Sequence, residues 1–267
     1  MRFEARLYER AVGAGIWKSV HQRAGYFAAG VAHQAAWPNP EGDRWVELGD
    51  AMRLLEVAHG TIQAEFLAAA GVQPGGVLDL AQITTGVDNE NLTDSGQWSQ
   101  RIYMRNGLPL FEAGETGAAG FEAAFPQTVA AVRDALQQAG SEGLPKGSVE
   151  FSILDEGTHI KPHCGPSNHK WRLHLGVVVP SGCSIRVGDP TAESSRRPWE
   201  EGKVILFDDS YEHEIFHEGQ GEGPRVVLIV DVWHPEVADE RSREQVRKDF
   251  AWHAARDSLL RSGLGAN

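Results

Sequence analysis

The stretch WRLHLGVVVPSGCSIRVGD, residues 171–189, reads as two strands joined by a turn. Val and Ile dominate both halves, Pro180, Ser181 and Gly182 separate them, and no helical spacing of apolar residues intervenes. Segments of the same character surround it: SVEFSIL (148–154), KVILFDD (203–209), HEIFHEG (213–219) and RVVLIVDVW (225–233). Several close strands without helices between them predict a sandwich or barrel, most simply a jelly roll.

Helical patterns flank this region. RWVELGDAMRLLEVAHGTIQAEFLAAAG (44–71) carries Ala, Leu and Glu at helical spacing and stops at a glycine. FEAAFPQTVAAVRDALQQAG (121–140) predicts a second helix with Pro126 near its first turn. The tail, 237–262, predicts a third, structural or dimer-forming. Residues 85–120 are polar and Gly-rich, with a short strand signal at WSQRIYM (98–104). The stretch 21–38 matches no element and is expected as a lid or a piece of substrate wall. The expected class is mainly β with flanking helices (α+β). Residues 1–267 form one domain: helical and loop support with substrate-side elements over 1–147, a jelly-roll core over 148–236 and a C-terminal helix over 237–267.

The chain has 267 residues, 41% of them hydrophobic, and a formal net charge of -12. That charge argues against nucleic acid and anionic membrane as partners. No apolar run reaches the length of a membrane span, and MRFEARLYER at the start lacks the apolar core of a signal peptide. The two cysteines, Cys164 and Cys183, form neither a CxxC pair nor a disulfide framework. A reducing cytoplasm is the expected compartment.

Among eleven histidines, His163 follows Pro162 and precedes a Gly-Pro turn, and His213 lies in FDDSYEHEIF between two strand-like segments. A jelly roll can bring such remote residues face to face, and two neutral imidazoles suit iron or zinc. On spacing alone, loop histidines are the simpler account. Arg225 opens an apolar strand, where an unpaired charge is costly and a bidentate carboxylate partner is apt. Arg172 and His174 alternate on one strand and share a face. For them a salt bridge with a polar core pair and a ligand contact weigh equally.

Three blocks resemble the aspartyl/asparaginyl β-hydroxylases, a branch of the iron(II)- and 2-oxoglutarate-dependent oxygenases: SILDEGTHIKPHCGPSNHKWRLHLGVVVP (152–180), WEEGKVILFDDSYEHEIFHE (199–218) and RVVLIVDVWHPEV (225–237). ENLTDSGQWSQ (90–100) adds a weaker match. The resemblance spans roughly 85–236 and implies a double-stranded β-helix, the jelly-roll variant of that family. It implies Fe(II) held by His163 and His213, and 2-oxoglutarate held by Ser152, His174 and Arg225. O₂ is the third reactant, and succinate and CO₂ are released. Arg172 would meet the carboxylate of the substrate, with Trp98, Gln100 and Thr93 on the substrate side. Thr93 stands where the family has a second carboxylate-binding arginine. Gly165 stands where many iron enzymes place a third, carboxylate ligand, and the family lacks one too. Asp208 and Asp209 are then expected in turn hydrogen bonds, and Cys164, Trp171, Trp199 and Trp233 in packing.

The implied reaction is hydroxylation of an unactivated carbon, the β-carbon of an Asp- or Asn-like residue that is free, carrier-bound or in a peptide. Two alternatives stand beside it: an iron/2-oxoglutarate halogenase, with chloride in place of the missing carboxylate, and a non-catalytic jelly-roll binding protein. No oligomeric state is implied.

Overall fold

The strand Arg225–Trp233 is buried at every position, which requires cover on both faces. In the computed structural model, which describes residues 9–17, 19–31, 36–38, 45–71, 86–87, 91–110 and 117–264, that cover is a second sheet on one side and helices on the other. The strands in chain order are β1 (Gly86–Val87), β2 (Thr93–Ser95), β3 (Trp98–Arg105), β4 (Leu108–Pro109), β5 (Val149–Leu154) and β6 (His159–His163). Then come β7 (Lys170–Val178), β8 (Cys183–Val187), β9 (Arg196–Pro198), β10 (Val204–Phe207), β11 (His213–His217) and β12 (Arg225–Trp233). The larger sheet runs β1-β3-β5-β12-β7-β10, with β4 on β3, and the smaller runs β2-β6-β11-β8-β9. Neighbouring strands are antiparallel throughout. This is the jelly-roll arrangement that the strand pattern predicts.

Side-chain alternation then sorts the larger sheet. Phe151, Ile153, Trp171, Leu173, Leu175, Val226, Leu228, Val230 and Val232 pack against helices α1 (Val46–Ala69), α2 (Ala118–Ala124) and α3 (Pro126–Gln138). The other parity faces the smaller sheet, where Leu154, Val227 and Ile229 meet Ile160, Ile185, Val187 and Ile215. On that inner parity the chain also carries Ser152, Lys170, Arg172, His174, Arg225 and Asp231. These polar residues thus interrupt one side of an otherwise apolar sheet. Arg172 and His174 do share a face.

Helix α1 follows the expected 44–71 pattern, burying Leu48, Ala51, Leu55, Ile62 and Phe66. It ends where Gly71 turns to φ 65. The expected single helix at 121–140 is two. Phe125 breaks it at φ -132, ψ 52, because the residue before a proline is pushed out of the helical region, and Pro126 starts α3. The boundary expected at 148 falls inside the larger sheet, since β3 pairs along β5 from Trp98 opposite Leu154 to Met104 opposite Val149. The C-terminal helix, α4, spans Glu240–Leu264. No described helix is long and apolar enough to cross a membrane.

The described residues of the ambiguous stretch after residue 20 do not line the cavity beside His163 and His213 but pack on loops next to it. Gln22 is buried and donates from Nε2 to Ser210 Oγ at 2.8 Å. Arg23 pairs with Glu212, and the Tyr26 N–H donates to the Pro166 carbonyl at 3.1 Å. They brace the two loops that lead from His163 and into His213. Residues 32–35 of that stretch lie outside those described.

Candidate active site

β6 and β11 place His163 directly opposite His213, next to a bulge between His213 and Ile215. The ring centroids are 4.1 Å apart. Each ring uses Nδ1 on the backbone carbonyl two residues earlier: His163 on Lys161 at 2.8 Å and His213 on Tyr211 at 2.9 Å. With Nδ1 as donor, Nε2 is the nitrogen each would present to a cation. Burial, then the neighbouring His163, holds His213 well below the usual histidine range, so it is a neutral donor. The pair fits a borderline divalent ion such as Fe²⁺. Among the described residues no third His, Cys, Asp or Glu completes a metal-binding cluster with them.

Behind this pair, Arg225 is fully buried. Its Nη2 donates to Ser152 Oγ at 3.0 Å, and its guanidinium lies 4.7 Å from the Trp199 ring centroid. Nε and Nη1 have no hydrogen-bond partner. Burial pushes this group down to about 9. A fully buried cation with two orphaned donors calls for an anionic ligand. Ser152 Oγ also accepts from Trp98 Nε1 at 3.0 Å, which leaves its own proton for a carboxylate. His174 is buried with both ring nitrogens unpartnered, stacked 5.9 Å from Trp199. Burial, then Arg172 and Arg225, keeps it neutral. These orphaned atoms fit a dicarboxylate such as 2-oxoglutarate.

A cavity of ≈ 280 Å³ gathers most of the expected residues: Trp98, Gln100, Ser152, His163, Arg172, His174 and His213. Arg225 stands behind Ser152. Neither Arg225 nor Thr93 lines the cavity. Thr93 pairs with Ile160 on the smaller sheet. Gln100 accepts from Arg105 Nη2 at 3.0 Å.

Arg172 lines the cavity, where a salt bridge and a substrate carboxylate are its two expected partners. It already forms a two-point pair with Asp231, Nε to Oδ1 at 2.7 Å and Nη2 to Oδ2 at 2.9 Å. Lys170 joins them, 2.6 Å from Asp209 Oδ2 and 3.1 Å from Asp231 Oδ2. Burial would raise Asp231, but Arg172 and Lys170 pull it well below the usual carboxylate range. The sequence reading missed Lys170 and Asp231, and Asp209, expected in turn hydrogen bonds, is instead ion-paired with Lys170. The signal for Asp231 was present, a charge inside RVVLIVDVW of the same kind as Arg225.

Asp209 also explains Gly165. A Cβ on Gly165 would lie 2.6 Å from both Asp209 Cγ and Oδ2 and 2.8 Å from its carbonyl oxygen. The Gly165 N–H donates to that carbonyl at 2.6 Å. Even a methyl group has no room there. Cys164 is half-buried beside it with its thiol pushed up by burial, and neither cysteine is in a disulfide.

The sequence profile described as Aspartyl/Asparaginyl beta-hydroxylase matches residues 60–235, from the middle of α1 to just past β12. The chain belongs to this family. As a member of the aspartyl/asparaginyl β-hydroxylases it is 34% identical over 239 residues to the human Aspartyl/asparaginyl beta-hydroxylase, covering 88% of this chain and 27% of that protein. Against the mouse counterpart the figures are 35% over 237 residues, 88% and 28%. Mouse Aspartate beta-hydroxylase domain-containing protein 2 is 44% identical over 111 residues, 41% of this chain and 30% of that one. The chain therefore spans little more than a quarter of the human and mouse proteins it matches over most of its own length. Among solved structures, a 2OG-Fe(II) oxygenase family oxidoreductase from Burkholderia pseudomallei aligns over 76% of this chain and 96% of its own, at 11% identity and a TM-score of 0.37.

Proposed function

We propose that this protein is an Fe(II)- and 2-oxoglutarate-dependent hydroxylase acting on the β-carbon of an Asp- or Asn-like residue. The observation that carries the reading is a cavity lined by the His163–His213 pair and by Ser152, the serine bonded by a fully buried, two-donor-short Arg225. His163 and His213 would hold the metal through Nε2. Arg225 and the Ser152 hydroxyl would take the far carboxylate of 2-oxoglutarate, with Trp98 fixing the serine. His174 would stay neutral and donate one ring N–H to the same ligand. Iron, 2-oxoglutarate and O₂ together supply the oxidant, with succinate and CO₂ as co-products. The part of the protein is positioning, because a strong oxidant attacks the nearest C–H. Arg172, clamped by Asp231, presents a fixed edge to the substrate rather than a swinging side chain.

The halogenase alternative needs an anion where Gly165 leaves the carboxylate out. Asp209, paired with Lys170, already fills the space beside that position and leaves little room for a chloride. Incubation with Fe²⁺, 2-oxoglutarate, ascorbate and short Asp- or Asn-containing peptides tests the reading. The expected result is succinate and a product heavier by one oxygen, neither of them formed by His163→Ala. A chlorinated product, or succinate release unchanged in His163→Ala, would overturn it. A non-catalytic protein would form no succinate at all.

A further inference from the structure

Arg225 apart, the cations around the cavity are nearly all matched. Lys170 and Arg172 face Asp209 and Asp231, and Arg105 Nη2 lies 3.8 Å from Glu150 Oε2. Lys146 is the exception. It is exposed, lines the cavity, and has no ion-pair partner among the described residues.

Its backbone is as telling as its charge. Leu144–Gly147 is a tight turn with Pro145 in second place, closed by the Gly147 N–H on the Leu144 carbonyl at 3.4 Å. Lys146 occupies the third place at φ 59. That place with φ above zero favours glycine or asparagine, and a lysine there is strained. The neighbouring turn, Asn106–Gly107, follows the expected chemistry, with φ 57 and 78. The two turns are tied by the Gly107 N–H to the Gly147 carbonyl at 2.8 Å, and both reach the cavity. The packing leaves no slack: a Cβ on Gly107 would lie 2.1 Å from the Leu144 carbonyl oxygen. A strained residue held rigidly at a cavity mouth is a candidate for a ligand contact.

We propose that Lys146, with Arg105 beside it, forms an anion subsite at the mouth of the cavity that selects substrates carrying a carboxylate outside the reacting side chain. The nature of the occupant rests on the hydroxylase reading; the subsite itself rests on charge and strain. That carboxylate comes either from the main-chain terminus of a free or C-terminal residue or from an acidic neighbour in a peptide.

The test uses the full chain loaded with Mn²⁺ and 2-oxoglutarate, titrated calorimetrically with three probes. These are N-acetyl-asparagine (a terminal carboxylate), N-acetyl-asparaginyl-glutamic acid α-amide (an acidic neighbour with its side-chain carboxylate free) and N-acetyl-asparaginamide (neutral). The wild type should prefer one of the acidic probes over the neutral one by about fivefold, the size of a partly exposed charge pair, and which one identifies the source. Lys146→Gly should lose that preference while its melting temperature stays level or rises, because glycine relieves the turn. Lys146→Arg should keep it. Equal binding of neutral and acidic probes by the wild type, no binding of any probe, or an unchanged preference in Lys146→Gly would overturn the subsite. Binding of 2-oxoglutarate is read separately in the same titrations. Its absence beside a Lys146-dependent preference would contradict the hydroxylase reading and leave the subsite standing.

Discussion

His163 and His213 face each other across two neighbouring antiparallel strands, and each bonds through Nδ1 to the carbonyl of the residue two places before it. The same local device on both strands orients two rings toward one point. Converting either to alanine should lower Mn²⁺ affinity by at least about 100-fold, more than is typical for loss of a residue that merely supports a ligand. Electron paramagnetic resonance of Mn²⁺ measures this, with circular dichroism to verify the fold. Native affinity in either variant would remove the pair from the metal site.

Arg225 is a cation without an anion. Its replacement by methionine should cut 2-oxoglutarate affinity by about 100-fold, the value of roughly 3 kcal/mol of charged hydrogen bonds. The same change removes a buried, under-bonded charge, so the melting temperature of the ligand-free protein should hold or rise. Calorimetry and thermal unfolding together test this. A variant that melts far lower yet binds normally would make Arg225 structural.

Gly165 tolerates no side chain because Asp209, fixed by Lys170, fills the space. Gly165→Ala should cost about 1–3 kcal/mol of stability, as overpacking does. Gly165→Asp should lose metal binding instead of gaining a third ligand. Denaturant unfolding and Mn²⁺ titration read the two effects. Tighter Mn²⁺ binding by the aspartate variant would show that the position is open after all.

Asp208 is buried, and burial raises its carboxyl from 3.8 to about 7, despite Ser210 N–H and O–H bonds at 2.9 and 2.5 Å that work the other way. Between those values the folded state holds a proton that the unfolded state has released. The contribution to stability is therefore full below about pH 4, declines up to about pH 7 and is flat beyond. Asp208→Asn should remove that decline. Its advantage over the wild type should grow from pH 5 to pH 8 by at least about 1 kcal/mol. Parallel stability curves would mean that Asp208 is charged in the folded state.

Much of this was legible in the sequence for a physical reason. β12 and β7 are covered on both faces, so their apolar runs stand out, and Arg225, Arg172 and His174 break those runs visibly. The register that sets Asp231 opposite Arg172 is not local. It depends on pairing across 59 residues, so the bland partner of Arg172 could be weighed but not identified. Pro126 showed where a helix starts, yet the preceding turn of α2 continued the same apolar pattern and hid the break at Phe125. β3 was read as a short strand signal in a polar stretch, and its place between β1 and β5 follows only from the three-dimensional pairing. Lys146 carried no motif, because the sign of its φ is invisible in the sequence Pro-Lys-Gly.

A metal-dependent dicarboxylate site underlies all of this chemistry. The most direct measurement is calorimetric titration of 2-oxoglutarate into the protein with and without Mn²⁺. Binding should occur at one site per chain, require the metal, be lost in His213→Ala and be strongly weakened in Arg225→Met. Binding that ignores the metal, or no binding in its presence, would contradict it.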